Sequence, residues 1–140
     1  MQINLLNGVD DVEFGISKQS LIDRYGAELN FEIIDEEEDI KTEAVVFKDS
    51  ETTLYFEGSE TEMIFSACDT ENHDALLFGE KIFTKTEDEI KELMKARKYS
   101  IDEEDTEEWG EKRISYYDAM VDFFFEDGEL SSISWGILVL

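Results

Sequence analysis

The chain has 140 residues and a formal net charge of −25, from 37 acidic and 12 basic side chains. Its hydrophobic content of 41%, which includes 10 phenylalanines, is that of a globular domain. Such a charge disfavours nucleic acid and anionic membranes as partners and favours a basic protein, although acidity alone also improves solubility. The single cysteine, Cys68, leaves no internal disulfide and suits a reducing compartment.

Neither a signal peptide nor a membrane span is recognisable. The first eight residues lack a basic segment followed by an apolar stretch, and no apolar run approaches the roughly 20 residues of a membrane helix. We therefore expect a soluble, cytoplasmic protein. Proline is absent, which argues against rigid linkers, so we expect a single domain over residues 1–140.

The first half of the chain predicts a hairpin, a helix and a meander. Asn7-Gly8 is a turn signal within a short strand or hairpin over residues 1–15. Ser17 is a suitable N-cap for a helix that Gly26 would end. Residues 29–34 alternate loosely, as a strand does, and further strand-like segments follow at 43–48, 52–57 and 62–67.

The second half repeats this order. A strand pair or one bulged strand surrounds Gly79, and Thr86 to Glu89 forms a capping box at the start of a helix. Six acids in seven residues at 102–108 predict a solvated loop. Three strands then follow at 113–117, 121–126 and 130 to about 139. Because the C-terminal residues are so apolar, we expect the last strand to be central in a sheet.

An offset of 69 positions relates the two halves. It places Ser17 on Thr86 and the acidic run 35–39 on residues 104–108. The pseudo-repeats span about 14–67 and 78–136. The predicted fold class is therefore α+β, with two tandem helix-plus-three-antiparallel-strand units forming one domain and both helices packed on one face of an antiparallel sheet.

The two acidic connections are the candidate partner-binding site. They would dock onto a basic cleft, with an exposed aromatic residue as an anchor, and would form either one broad negative surface or two separate ones. The alternative is that both are solvated loops with no partner. The candidate residues are Asp35, Glu36, Glu37, Glu38, Asp39, Asp102, Glu103, Glu104, Asp105, Glu107, Glu108 and Trp109.

Other chemistry has weaker support. Cys68 and His73 are too few N and S ligands for a zinc site, and no flanking signature supports a nucleophile pair. The acidic runs lack the spacing of a calcium loop. Phe124, with Tyr55 and Tyr116 or Tyr117, would form an aromatic patch if the outer sheet face is exposed. We expect no enzyme activity, no cofactor and no specific metal.

Small size, strong acidity, the missing export signal and the helix-plus-meander units resemble bacterial immunity proteins, which inhibit polymorphic or contact-dependent toxins. The tandem arrangement is also similar to that of β-lactamase inhibitory proteins. No family motif can be quoted, so no functional residue carries over. The resemblance implies inhibition of a basic toxin domain, such as a nuclease, by occlusion of its substrate cleft or an adjacent site. Separately, we expect a monomer or weak homodimer. The alternative functions are an adaptor that binds through the aromatic sheet face or the apolar C-terminal strand, and a small-molecule-binding or catalytic domain around Cys68 and His73.

Overall fold

The computed structural model describes residues 1–26, 29–59 and 61–138. The N-terminal part contains β1 (Gln2–Asn4), β2 (Gly8–Val9), β3 (Val12–Glu13) and helix α1 (Lys18–Tyr25). The first meander contains β4 (Phe31–Glu37), β5 (Ile40–Phe47), β6 (Thr52–Ser59) and β7 (Glu62–Thr70). The connecting part contains β8 (Leu76–Leu77), β9 (Glu80–Lys81) and helix α2 (Glu87–Ala96). The second meander contains β10 (Glu103–Thr106), β11 (Glu111–Tyr116), β12 (Val121–Glu126) and β13 (Glu129–Gly136).

The two meanders form one eight-stranded sheet in the order β10-β11-β12-β13-β7-β6-β5-β4. They join through their last strands, β7 and β13, which pair antiparallel with Ile133 opposite Thr70 and Trp135 opposite Cys68. The first strand of each meander, β4 or β10, is consequently an edge of the sheet. The predicted central position of the C-terminal strand is confirmed as far as Gly136, whereas Val139 and Leu140 lie outside the described residues.

Both helices begin at the predicted caps. The Ser17 hydroxyl accepts a hydrogen bond from the Ser20 backbone N–H at 3.0 Å, and the capping box between Thr86 and Glu89 is complete. Gly26 ends α1 at φ 93°, in the left-handed region that glycine tolerates. Each helix buries one apolar face, which keeps it folded at a length where an isolated helix would be unstable.

A second, five-stranded sheet, in the order β3-β2-β1-β8-β9, lies against the same core. It is mixed, because β1 and β8 are parallel. The Trp135 indole N–H donates a 2.8 Å hydrogen bond to the Gly8 carbonyl oxygen and so links the two sheets across the interior. The largest buried side chains of the core include Trp135, Tyr116, Phe56, Phe65, Phe123 and Phe125.

The predicted α+β class, with two helix-plus-three-strand units and both helices packed on one face of the sheet, is wrong. Strands make up 50% of the described residues, and helices, including the short 3-10 helices Lys48–Ser50 and Ile82–Thr84, make up only 18%, so the protein is mainly β. Each meander has four strands, because the acidic runs predicted as connections supply much of β4 and β10. The short strands beside the helices form the second sheet. The strand predicted over residues 29–34 covers the first part of β4, whereas the acidic end of β4 and all of β10 were not predicted as strands, because an edge strand that is exposed on both faces needs no apolar alternation.

Among the described residues, no helix is both long and apolar enough to cross a membrane.

Candidate partner-binding edges

The first acidic run lies on the hairpin between β4 and β5. Asp35, Glu36 and Glu37 belong to β4, and Glu38 and Asp39 form the two-residue turn before Ile40. All five carboxylate residues are exposed. The run is therefore a strand and its turn rather than the predicted loop, and Glu38 has a φ of 49° in the turn.

The second acidic run begins just before β10 and ends in the turn that leads into β11. Glu103, Glu104 and Asp105 lie in the strand, and Glu107 and Glu108 follow it. Asp102 precedes the strand, and its Oδ2 accepts a 2.8 Å hydrogen bond from the Tyr117 backbone N–H. This run was also predicted as a loop, and it too is mostly a strand at a sheet edge.

The two acidic runs are on opposite edges of the eight-stranded sheet. Seven strand spacings separate them, which corresponds to about 34 Å along the sheet. The Debye length at physiological salt is about 8 Å, so charges at this separation are screened from each other. The strand order therefore favours two separate negative edges over a single broad acidic surface.

Four side chains form an ion-pair cluster at the β10 edge. Lys91 of α2 lies 3.0 Å from Glu87 and 2.8 Å from Glu104, and Lys112 of β11 lies 2.9 Å from Glu87 and 3.5 Å from Glu104. The Lys91 hydrogen bond lowers the pKa of Glu104. Burial raises the pKa of Glu87, but the bonds from Lys112 and Lys91 outweigh it and lower the pKa overall. The cluster ties α2 to the sheet.

Arg113 neutralises further charge at the same edge. Its guanidinium contacts Asp105 and lies 3.3 Å from Glu103. All three carboxylates of β10 therefore have a cationic partner. The charge of the β10 carboxylates is thus compensated by the protein itself, although their side chains remain exposed, as do those of Glu107 and Glu108 in the turn.

The hairpin edge has a different chemical character. Residues 31–40 contain six acids and no basic residue. Within the described part of the chain, Glu36, 3.5 Å from Lys41, is the one acid of this stretch with an observed ion pair. Three isoleucines lie among the acids and are more than half exposed: Ile33 at 56%, Ile34 at 52% and Ile40 at 61%. These isoleucines were not among the predicted binding residues, although the sequence places them directly beside the acidic run.

The base of the hairpin is held by contacts with the core and with α1. The Phe31 ring packs edge-on against Phe56 at 5.6 Å, and the Lys18 ammonium lies 4.6 Å from the Phe31 centroid. Lys18 also forms a 2.7 Å ion pair with Glu43, a nearly buried carboxylate of β5. The exposed end of the hairpin is thus presented from a fixed base.

The predicted aromatic anchors are scattered. Trp109 is 72% exposed beside the β10 edge, and its Nε1 donates to Glu111 at 3.1 Å. Tyr116 is in the core, so it does not contribute to an outer patch. Phe124 is half-buried three strands away from Tyr55, whose hydroxyl donates to Asp69 at 2.5 Å. The structure does not bring these rings together into one aromatic patch.

Cys68 and His73, the residues considered for nucleophile or zinc chemistry, lie in different environments. Cys68 is buried in the core, and burial raises the pKa of its thiol, which keeps it protonated. His73 instead packs on the Phe83 ring at 5.1 Å. Among the described residues, no group of three or more His, Cys, Asp and Glu side chains is arranged to hold a metal ion.

One further cleft, of about 520 Å³, lies between the N-terminal strands and the β5–β6 connection. Its floor includes Val9 and Leu54, and Asp10, Asp49 and Asp74 are among its polar lining. Because these residues come from separate parts of the chain, no local motif indicates the cleft.

No protein-family model, curated protein or solved structure matches this chain.

Proposed function

We propose that this protein is a non-enzymatic binding protein that inhibits or sequesters a basic macromolecular partner, with immunity against a basic toxin domain as the favoured form. The observation that carries the proposal is the hairpin edge, where six acids and three exposed isoleucines occur within ten residues. Uncompensated carboxylates attract a cationic surface over a distance, and the neighbouring apolar side chains supply contact area once it has docked.

The difference between the two acidic edges supports this choice of surface. At β10 the carboxylates are held by Lys91, Lys112 and Arg113, so binding a cationic partner there would require these ion pairs to be exchanged. At the hairpin a partner gains new ion pairs with little internal competition. Charge complementarity of this kind increases the association rate more than the net affinity.

Two triple variants with the same change in charge test the proposal. The hairpin variant carries Glu32→Gln, Asp35→Asn and Glu37→Gln. The control variant carries Glu103→Gln, Asp105→Asn and Glu107→Gln at the opposite edge. Five of the six positions are in the edge strands β4 and β10, and Glu107 follows β10; all six side chains are exposed, so neither variant should disturb the core.

The partner is first captured from a lysate of the source organism on the immobilised wild-type protein at low salt and is identified by mass spectrometry. The association rate of the purified partner is then measured between 50 and 500 mM NaCl. We expect the hairpin variant to associate roughly tenfold more slowly, with a flatter salt dependence, and the control variant to remain close to wild type. Equal rates and salt dependence for the hairpin variant and wild type would refute the proposal.

Immunity against a toxin requires, in addition to binding, that the partner is inhibited. Bound protein should abolish the activity of the captured partner, and co-expression should restore growth to cells that the partner inhibits. If binding leaves the activity unchanged, an adaptor function replaces inhibition. The exposed Leu138, close to the end of the described chain, is a contact point for such an adaptor, which trimming of residues 137–140 would remove.

A further inference from the structure

We propose that the free edge of β4 binds its partner by strand addition, taking up an extended segment in which basic and apolar side chains alternate. This inference rests on the proposed function and specifies how its site recognises the partner. An added strand pairs its backbone with an open sheet edge, and the side chains on its two faces determine specificity.

The first argument is the open backbone. β4 has seven residues, a length of about 23 Å, and it is the outermost strand of the sheet on that side. From Glu32 to Glu37 every residue is exposed, so within the described chain no neighbouring element shields this edge. An open edge of this length presents unpaired N–H and C=O groups that are ready to extend the sheet.

The second argument is the pattern of side chains along the edge. Glu32 pairs with Ala44, Asp35 with Thr42 and Glu37 with Ile40, so these three acids share one face of the sheet. Ile33 pairs with Glu43 and Glu36 with Lys41, so these two lie on the opposite face, and Ile34 is the extra residue of a β-bulge that keeps Glu32 and Asp35 on one face despite their spacing of three. A neighbouring strand would therefore place lysine or arginine beside the acids on one face and an apolar residue beside Ile33 on the other.

The third argument concerns which strand can occupy the edge. A second copy of β4 would bring carboxylates against carboxylates, and like charges directly opposite each other destabilise a strand pair. The acids thus oppose self-association while leaving the edge open to a strand of opposite charge. The opposite edge lacks this combination, because β10 has only four residues and its carboxylates are paired with Lys91, Lys112 and Arg113.

The test uses synthetic seven-residue peptides capped at both ends. The probe alternates lysine and valine, beginning and ending with lysine. A second peptide has the same sequence with N-methyl groups on two adjacent central residues, which removes backbone donors from both edges and keeps all charges. A third has four consecutive lysines followed by three valines. Binding to the wild-type protein, the hairpin variant and the control variant is measured by calorimetry at 50 mM NaCl.

We expect the alternating peptide to bind wild type, N-methylation to weaken it at least tenfold, and the block peptide to bind more weakly than the alternating one. The hairpin variant should lose roughly tenfold to a hundredfold in affinity, since three exposed charge pairs are removed. The control variant should lose less than threefold. Binding that tolerates N-methylation, equal losses in the two variants, or no binding of the alternating peptide would each overturn strand addition.

These outcomes are distinguishable from failure of the proposed function. Binding that depends on the hairpin acids but not on peptide N–H groups removes strand addition and leaves an acidic docking edge. If instead the hairpin variant associates with the captured partner as wild type does, the proposed function itself fails, whatever the peptides show.

Discussion

Replacing Tyr116 with phenylalanine should stabilise the protein. Tyr116 is 2% exposed, and its ring packs edge-on against Phe123 at 5.9 Å. Its hydroxyl oxygen has no hydrogen-bonding partner among the described protein atoms. An unsatisfied buried polar group costs about 1–3 kcal/mol, whereas phenylalanine keeps the ring and its packing. We expect a gain of about 1 kcal/mol in the free energy of unfolding, which corresponds to a rise of roughly 3–4 °C in Tm.

The matched control is Tyr55→Phe, which removes a tyrosine hydroxyl that does have a partner. The Tyr55 hydroxyl donates to the Asp69 carboxylate, so its loss should cost about 1 kcal/mol. Both variants are compared with wild type by urea denaturation, followed by tryptophan fluorescence. If Tyr116→Phe unfolds at lower urea than wild type, its hydroxyl is satisfied in the folded protein and the reasoning is refuted.

Two further predictions concern the interior link and a half-buried carboxylate. Trp135→Phe leaves the buried Gly8 carbonyl oxygen without its donor and reduces core volume, so the free energy of unfolding should fall by about 2–4 kcal/mol; an unchanged thermal melt would contradict this. Burial raises the pKa of Asp69, although hydrogen bonds from Tyr55 and Thr53 oppose the rise. Because the folded pKa exceeds the unfolded value near 3.9, the ionised carboxylate disfavours folding above the folded pKa and this penalty disappears at lower pH. Asp69→Asn should therefore be more stable than wild type at pH 7 and equal to it at pH 3 in urea titrations.

Local chemistry made the helices predictable from sequence. The Thr86 and Glu89 side chains satisfy backbone N–H groups within four residues of each other, so the signal is complete in the sequence. Gly26 marks the end of α1 for an equally local reason. The final hairpin turn was also foreseeable, because Asp127 and Gly128 both adopt positive φ and such residues are favoured there.

The fold class and the arrangement of the acidic runs depend on non-local pairing. Asp35 and Asp105 lie in strands that have no buried face, so neither hydrophobic alternation nor strand propensity distinguishes them from a loop. Whether the two runs meet or lie apart depends on which strands join the meanders. The pairing of Trp135 with Cys68 separates them, and no residue pattern near either run encodes that choice.

The junction between β7 and β13 also has a consequence during synthesis on the ribosome. Thr70 ends β7, and about 60 further residues must be translated before Glu129 begins its neighbour. At usual elongation rates this delay lasts roughly 3–12 s. In the nascent polypeptide, β7 therefore remains an unpaired edge strand of the first meander until β13 has been synthesised. The pairing of β13 with β7 is therefore a late step of folding on the ribosome. The hydrogen bond from Trp135 to Gly8, which spans 127 residues, forms only at that stage.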